Sequence, residues 1–308
     1  MEIGKVPENV LKRAVFRQIH MKREEVLVGA SVGEDCAAVQ LKPDEVFVLS
    51  TDPITGTSKN MGRLAVQITA NDLASAGAEP VGILLTVLLP PSAEEPLIRT
   101  LMQEVESACE DLHVQAMGGH TEITEAVNQP LLSVTGVGKV KKDRMVSTGG
   151  ARVGDDVIVT KWVGIEGTSI IAREKETELL TRFSRSFVEE AKGFDQYLSV
   201  VPEGLLAAAS GATAMHDVTE GGIYGALWEL AEASGVGLEI DLKSIPIRQE
   251  TIEVCEHFRL NPYQLISSGS MLITARDGRG LVRELEQAGI RASLVGRCVE
   301  GKARKIIN

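Results

Sequence analysis

Near the middle of the chain, the run Ser147-Thr148-Gly149-Gly150-Ala151-Arg152-Val153-Gly154-Asp155 breaks the hydrophobic periods on both sides of it and places three glycines ahead of a new β-branched run, Asp156–Thr160. A chain interrupted in this way is expected to fold as two bodies. Its 308 residues exceed one ordinary core and suffice for two. The expected division is 1–148 and 149–308. In the first part, Val10, Leu11, Ala14, Val15 and Ile19 share one side of a helix over 7–21. Short strands are expected at 26–32, 36–41 and 46–50, a helix at 62–76, a strand at 81–89, a helix at 93–112 and strands at 114–117 and 131–140. The second part alternates helices near 166–173, 203–210, 221–234, 250–258 and 280–288 with strands at Gly237–Asp241, 271–274 and 292–296. The fold class is α/β, or α+β, in two domains.

The net charge of -11, with no basic stripe or tail, argues against a nucleic-acid partner. An acidic chain can still hold a nucleotide when a divalent cation bridges carboxylate and phosphate. Cys36, Cys109, Cys255 and Cys298 are scattered without zinc spacing, which suits reduced thiols. The N-terminus has no apolar signal core, and no stretch reaches the roughly 18 to 20 apolar residues of a membrane helix, so a cytoplasmic protein is expected.

Several places could carry chemistry, and each has a plain structural reading beside it. Gly33-Glu34-Asp35-Cys36-Ala37 puts two acids on a glycine turn, where an ordinary hairpin would use the same residues. Ser50-Thr51-Asp52 places a carboxylate where a strand is expected to end. In the helix at 62–76, the row Leu64, Ile68, Asp72, Ala76 sets an acid among apolar residues, with Asn71 beside it. A buried carboxylate there needs a hydrogen-bonding partner or a metal ion. Gly118-Gly119-His120-Thr121-Glu122 reads as a loop after a strand, in which glycines admit close backbone approach. In Met215-His216-Asp217-Val218-Thr219-Glu220-Gly221-Gly222, Thr219 would cap a helix whose bare first amides suit an anion. Ser267-Ser268-Gly269-Ser270 is a weak phosphate-loop-like signal with a turn as its alternative. No P-loop or dinucleotide fingerprint is present, so metal and acid side chains would do most of the holding of any nucleotide. His120 and His216 are candidate proton carriers, because imidazole ordinarily titrates near neutrality.

Taken in order, Gly33-Glu34-Asp35, Ser50-Thr51-Asp52, Asn71-Asp72-Leu73-Ala74 with Gly77-Ala78-Glu79-Pro80, Gly118-Gly119-His120-Thr121 and Asp217-Val218-Thr219-Glu220-Gly221-Gly222 resemble the AIR synthase (PurM-like) superfamily. The second-half motif and Ala231-Glu232-Ala233-Ser234-Gly235-Val236-Gly237 are most similar to its hydrogenase-maturation branch, HypE. The resemblance implies a PurM-like architecture: an N-terminal α/β domain pairing in a homodimer through a β-barrel-like interface, and a C-terminal α/β sandwich. It implies ATP and Mg2+ as cofactors, with Asp35, Asp52, Asp72 and Asp217 as metal ligands. Glu34, Asn71, Gly118, Gly119, Thr121, Gly221 and Gly222 would join these acids in holding the nucleotide. The implied activity is phosphorylation of an oxygen on an unidentified small-molecule or protein-borne acceptor. Two alternatives stay open: a non-catalytic nucleotide sensor or scaffold, and a small-metabolite kinase similar to thiamine-monophosphate kinase. Two departures matter. His120 stands where the superfamily usually has an acid, and the ending Lys305-Ile306-Ile307-Asn308 lacks the terminal cysteine on which HypE chemistry proceeds.

Overall fold

The five-stranded sheet of the first half is built from runs rich in Val, Leu and Ile, whose side chains alternate between a covered and an open face. The structure is a computed structural model and describes residues 3–31, 36–55 and 60–308. Two units share the chain: Met1–Leu73 with Ala78–Asp143, and Ala74–Gly77 with Arg144–Asn308.

The first unit contains β1 (Gly4–Lys5), α1 (Glu8–Ala14), β2 (Val26–Val28), β3 (Ala38–Val39), β4 (Glu45–Ile54), α2 (Met61–Ser75, its last turn counted with the second unit), β5 (Glu79–Leu89), α3 (Glu95–Leu112), β6 (Gln115–Ile123) and β7 (Leu131–Lys141). The sheet order is β1-β6-β5-β7-β4, with β5 and β6 parallel and the other pairs antiparallel. Ile83, Leu85, Val87, Leu132 and Val134 pack with Ala65 and Val66 of α2 and with Ile98, Leu101 and Val105 of α3, so both helices cover one face. Gly62 lets them touch, since a Cβ there would stand 2.5 Å from the Leu101 carbonyl oxygen. The sheet within one copy is open, so a barrel-like interface requires a second chain.

Two expectations are corrected here. β4 does not stop before Asp52 but runs through Pro53 to Ile54, which an edge strand permits because proline's missing N–H can face away from the ladder. The Gly118–Glu122 segment is not a loop but the second half of β6.

The second unit contains β8 (Asp156–Thr160), α4 (Ile165–Glu174), α5 (Glu176–Leu179), α6 (Arg185–Lys192), α7 (Val201–Ala209), β9 (Ala212–Asp217), α8 (Gly222–Ser234), β10 (Gly237–Asp241), α9 (Gln249–Phe258), β11 (Met271–Ala275), α10 (Gly278–Gln287), β12 (Ala292–Val299) and β13 (Arg304–Ile307). Six strands form one sheet in the order β13-β10-β12-β8-β11-β9. On one face Val157, Val159 and Leu272 pack against Ile223, Ala226 and Leu230 of α8. On the other, Ile158, Met215 and Ile273 pack against Ala207 of α7 and Leu281 and Leu285 of α10. β9, α5, α6 and β13 were not anticipated. Among the described residues no helix is long and apolar enough to cross a membrane.

Candidate metal and nucleotide site

The acid placed by helical periodicity on α2 meets the sheet where the sheet has no side chain in the way. Leu64 and Ile68 pack on the covered face, and Asp72 continues their row. Gly136 of β7 lies opposite Ser50 of β4, and a Cβ on Gly136 would come within 2.4 Å of Thr69 Cγ2 on α2. That glycine lets the helix approach closely, and Ser50 Oγ donates a hydrogen bond to Asp72 Oδ2. The same hydroxyl stands 3.3 Å from Asp52 Oδ2, since Ser50 and Asp52 are two apart on one strand and share its face. Two carboxylates thus converge on one hydroxyl whose single proton can serve only one of them at a time. An oxygen-only set of this kind suits a hard divalent cation. Asn71, beside Asp72, is buried. Gly33, Glu34 and Asp35 lie outside the described residues. Among the described residues, no group of three or more His, Cys, Asp or Glu side chains is arranged to hold a metal ion.

His120 lies on the other side of the sheet. The cross-strand row Pro53, Ser133, Thr86, His120 faces the open side, whereas Asp52, Val134 and Leu85 face the helices. β6 and β4 are three strand spacings apart, about 14 Å. His120 Nε2 is 3.1 Å from Glu122 Oε2. Thr121 is buried on the covered face, at the β6 side of the sheet. The glycines before it have a structural reason. A register shift between Ile83 and Leu84 marks a bulge in β6 at Met117, and a Cβ on Gly119 would lie 1.9 Å from the Leu85 carbonyl oxygen. The neighbouring strand's backbone takes the space beside Gly119.

In the second unit, His216 and Asp217 point to opposite faces of β9. His216 Nε2 is 2.6 Å from Glu229 Oε2 on α8. Asp217 is buried. Gly221 caps α8 with φ 80°, and Gly222, at φ 60°, would carry a Cβ 2.6 Å from the Tyr263 carbonyl oxygen. The Gly222, Tyr224 and Gly225 amides donate to the carbonyls of Thr219, Tyr263 and Gly221, so this helix start spends most of its amides within the protein. The serine run is likewise internal: Ser267 Oγ accepts from Gly164 N at 2.7 Å and Ser270 Oγ donates to Trp162 O at 2.7 Å.

Sequence reasoning missed Ser50 as the link between the two acids, and it missed Glu166. Glu166 is buried at the start of α4 and accepts from Ser268 N at 3.0 Å. Burial pushes its carboxyl above the ordinary range; the Ser268 hydrogen bonds oppose this, and the Asp217 and Glu220 charges add to it. Its one sequence signal is an acid flanked by Ile165 and Gly167 in a first helical turn.

Two family models cover most of the chain: AIR synthase related protein, N-terminal domain, over residues 33–140, and AIR synthase related protein, C-terminal domain, over residues 152–307. The chain belongs to the AIR synthase related family. Within that family it is 28% identical over 298 residues to carbamoyl dehydratase HypE of Rhodobacter capsulatus, spanning 94% of this chain and 82% of the relative. It is 26% identical over 278 residues to a putative hydrogenase expression/formation protein of Methanocaldococcus jannaschii, spanning 89% and 80%. Among solved structures, E. coli HypE matches with a TM-score of 0.81 at 19% identity, covering 98% of this chain and 94% of that one. Thiamine-monophosphate kinase from Stenotrophomonas maltophilia matches with a TM-score of 0.79 at 22% identity, covering 98% and 97%. A HypE solved in complex with ATP matches at 0.79 and 18% identity, covering 95% and 86%. The two-domain PurM-like fold of the family is thereby shared along nearly the whole chain.

Proposed function

We propose that this protein uses Mg2+ and ATP to phosphorylate an oxygen of an acceptor, small or protein-borne, as the HypE-like members of its family suggest. The observation that carries the reading is the convergence of Asp52 and Asp72 on the Ser50 hydroxyl. A bound Mg2+ would supply charge neutralisation to the triphosphate. Asp52 and Asp72 would hold that cation, with Asp35 proposed as a third ligand from sequence. Ser50 orients whichever carboxylate holds its proton, and Asn71, buried beside Asp72, is proposed to join the nucleotide site. Glu34, Gly118, Gly119 and Thr121 are proposed to border the nucleotide. Asp217, Gly221 and Gly222 of the second unit are included on the strength of the family resemblance. His120 and His216 are the proposed proton carriers, each with Nε2 within hydrogen-bond distance of a carboxylate. The proposed assembly is a homodimer.

Calorimetry of ATP with Mg2+ on wild type and on Asp72→Asn tests the site. The substitution is expected to weaken Mg-dependent nucleotide binding by roughly 10- to 100-fold. Unchanged binding would remove Asp72 from the site. Labelled γ-phosphate then separates the chemistries: label appearing as inorganic phosphate marks activation followed by elimination or ligation, and label retained on the acceptor marks a kinase. Tight binding without turnover in any metabolite mixture would favour the sensor reading.

A further inference from the structure

One edge of the second unit's sheet is β13, which runs parallel to β10 from Leu238↔Arg304 to Asp241↔Ile307. The Leu238 amide donates to Ala303 O at 2.8 Å. A parallel ladder in that register commits the Lys305 N–H and C=O and the Ile307 N–H to β10, and it turns the N–H and C=O of Arg304 and Ile306 away from it. All four residues of the strand are exposed. Between β13, β10 and α8 lies an apolar recess of about 180 Å3. Leu227, Leu238 and Ile240 line it and are buried, whereas Trp228 and Ile306 line it at 53% and 45% exposure. Clefts for drug-sized ligands run from about 300 Å3 upward, but an apolar cavity of about 150 Å3 already holds a benzene ring. The recess therefore suits one large apolar side chain. An added strand would carry such a side chain, because it takes main-chain hydrogen bonds from the open edge and sets alternate side chains over one face.

The charges on the strand select its occupant. From Gly301 to Asn308 the charged side chains are Lys302, Arg304 and Lys305, with no acid among them, in a chain whose net charge is -11. Arg304 pairs with Glu232 and sets its guanidinium carbon 5.4 Å from the Trp228 ring centroid, while Lys305 Nζ lies 4.0 Å from Glu239 Oε1. Exposed pairs of this kind contribute under about 1 kcal/mol, so both cations can still meet a further carboxylate. A second copy of this chain fits poorly. The two-fold antiparallel register that uses the outward groups of both Arg304 and Ile306 sets Lys305 of one copy opposite Lys305 of the other, and like charges so placed destabilise a sheet. We propose that β13 is a docking edge for an extended acidic peptide of another protein, which adds as a further strand and places one large apolar side chain in the recess against Trp228. None of the residues proposed to hold nucleotide lines this recess.

Two libraries of strand-length peptides, about eight residues each, test this on the full chain. One alternates Asp or Glu with Val, Ile, Leu or Phe, and the other carries Lys or Arg in place of the acids. Retained peptides are sequenced, and the tightest acidic one is followed by fluorescence anisotropy and by amide hydrogen exchange. It is expected to bind roughly tenfold or more tightly than its basic counterpart and to slow exchange of the Arg304 and Ile306 amides by a similar factor. Trp228→Ala and Ile306→Ser should each weaken it by about tenfold. Arg304→Glu combined with Lys305→Glu should reverse the preference toward the basic peptide, which a mere loss of stability would not do. Retention of no acidic peptide, equal affinity for both charge classes, or binding that leaves the Arg304 and Ile306 amides unprotected overturns the proposal. Protection of those amides that rises with the concentration of the protein alone assigns the edge to a second copy and overturns it too.

Discussion

Two glutamates carry opposite pH signatures, and their surroundings say why. Glu25 sits in a fork with Arg23, whose Nη2 is 2.8 Å from Glu25 Oε1, and is also reached by Lys139. The Arg23 hydrogen bonds in particular pull its carboxyl down to about 2. A depressed folded value gives stability that is complete above the ordinary glutamate range and is lost as pH falls toward that value. Glu25→Gln should therefore lower stability at pH 7 by about 1 to 2 kcal/mol, discounted for the solvent that still reaches this network, and by almost nothing near pH 2. Urea unfolding across that window checks it, and a gap between the two proteins that stays constant down to pH 2 would sink the assignment. Glu166 behaves the other way, since burial raises its carboxyl. Ionising it in the folded state costs more than in the unfolded chain, so it erodes stability as pH rises above the ordinary glutamate range. Glu166→Gln keeps an acceptor for Ser268 N and should raise the melting temperature of metal-free protein at pH 8 while leaving it nearly unchanged at pH 4. A lower melting temperature at pH 8 would show that the charge is compensated in the fold.

At the level of elements, β6 shows how far sequence reasoning reaches. The run Val114 to Met117 reads as a strand from its pattern, but Gly118-Gly119-His120-Thr121-Glu122 looks like a loop because strand-forming β-branched residues are nearly absent from it. What makes it a strand is β5, which pairs with it from Gly82↔Gln115 to Leu89↔Ile123 across the bulge. A neighbouring strand is a tertiary fact, invisible to a local period. β9 went unread for the same reason, since it is an edge strand ending in polar His216 and Asp217. The helices α2, α3 and α8 were legible because each carries an apolar stripe long enough to define its own period. The acid pair was only half legible: periodicity singled out Asp72, but its meeting with Ser50 depends on Gly136 thinning the sheet under α2. The bulge yields a prediction. Gly119→Ala would force a methyl to 1.9 Å from the Leu85 carbonyl oxygen, a contact no rotamer can relieve. Separating β5 from β6 there should cost about 3 kcal/mol or more and leave the variant largely unfolded on mild heating. Gly118→Ala, whose nearest contact would be the movable Leu84 Cδ2 at 3.3 Å, should cost far less. Equal melting temperatures for the two variants would show that the glycine pair is not held by the sheet.

Among the described residues, the open face of the first unit's sheet presents large apolar side chains that a single copy leaves uncovered. β4 spans Glu45–Ile54 at the edge of the first unit's sheet, and its outward side chains Phe47 and Leu49 are 48% and 65% exposed, with Leu84 of β5 at 37% on the same open face. A long edge strand that offers both unpaired backbone groups and large apolar side chains tends to be covered in the working protein. A second copy meeting this face would bury what remains exposed of the three side chains, each contributing about 1 kcal/mol, and would close the sheet that one chain leaves open. The proposed homodimer is thus argued from surface chemistry as well as from the family. Leu49→Lys places a charge in the middle of that face without touching the covered core, so the monomer should fold normally. Light scattering should find wild type as a dimer at micromolar concentration and Leu49→Lys as a monomer, with the dimer dissociation constant raised by about 100-fold or more. Mg-dependent ATP affinity provides the further discrimination. If it falls in the monomeric variant, the nucleotide site needs the second chain, and His120 on the open face is brought to the interface. If it holds, Asp52 and Asp72 on the helix-covered face suffice within one chain, and His120 has no part in nucleotide binding. A wild type that is monomeric at every concentration would leave this face without a partner of its own kind.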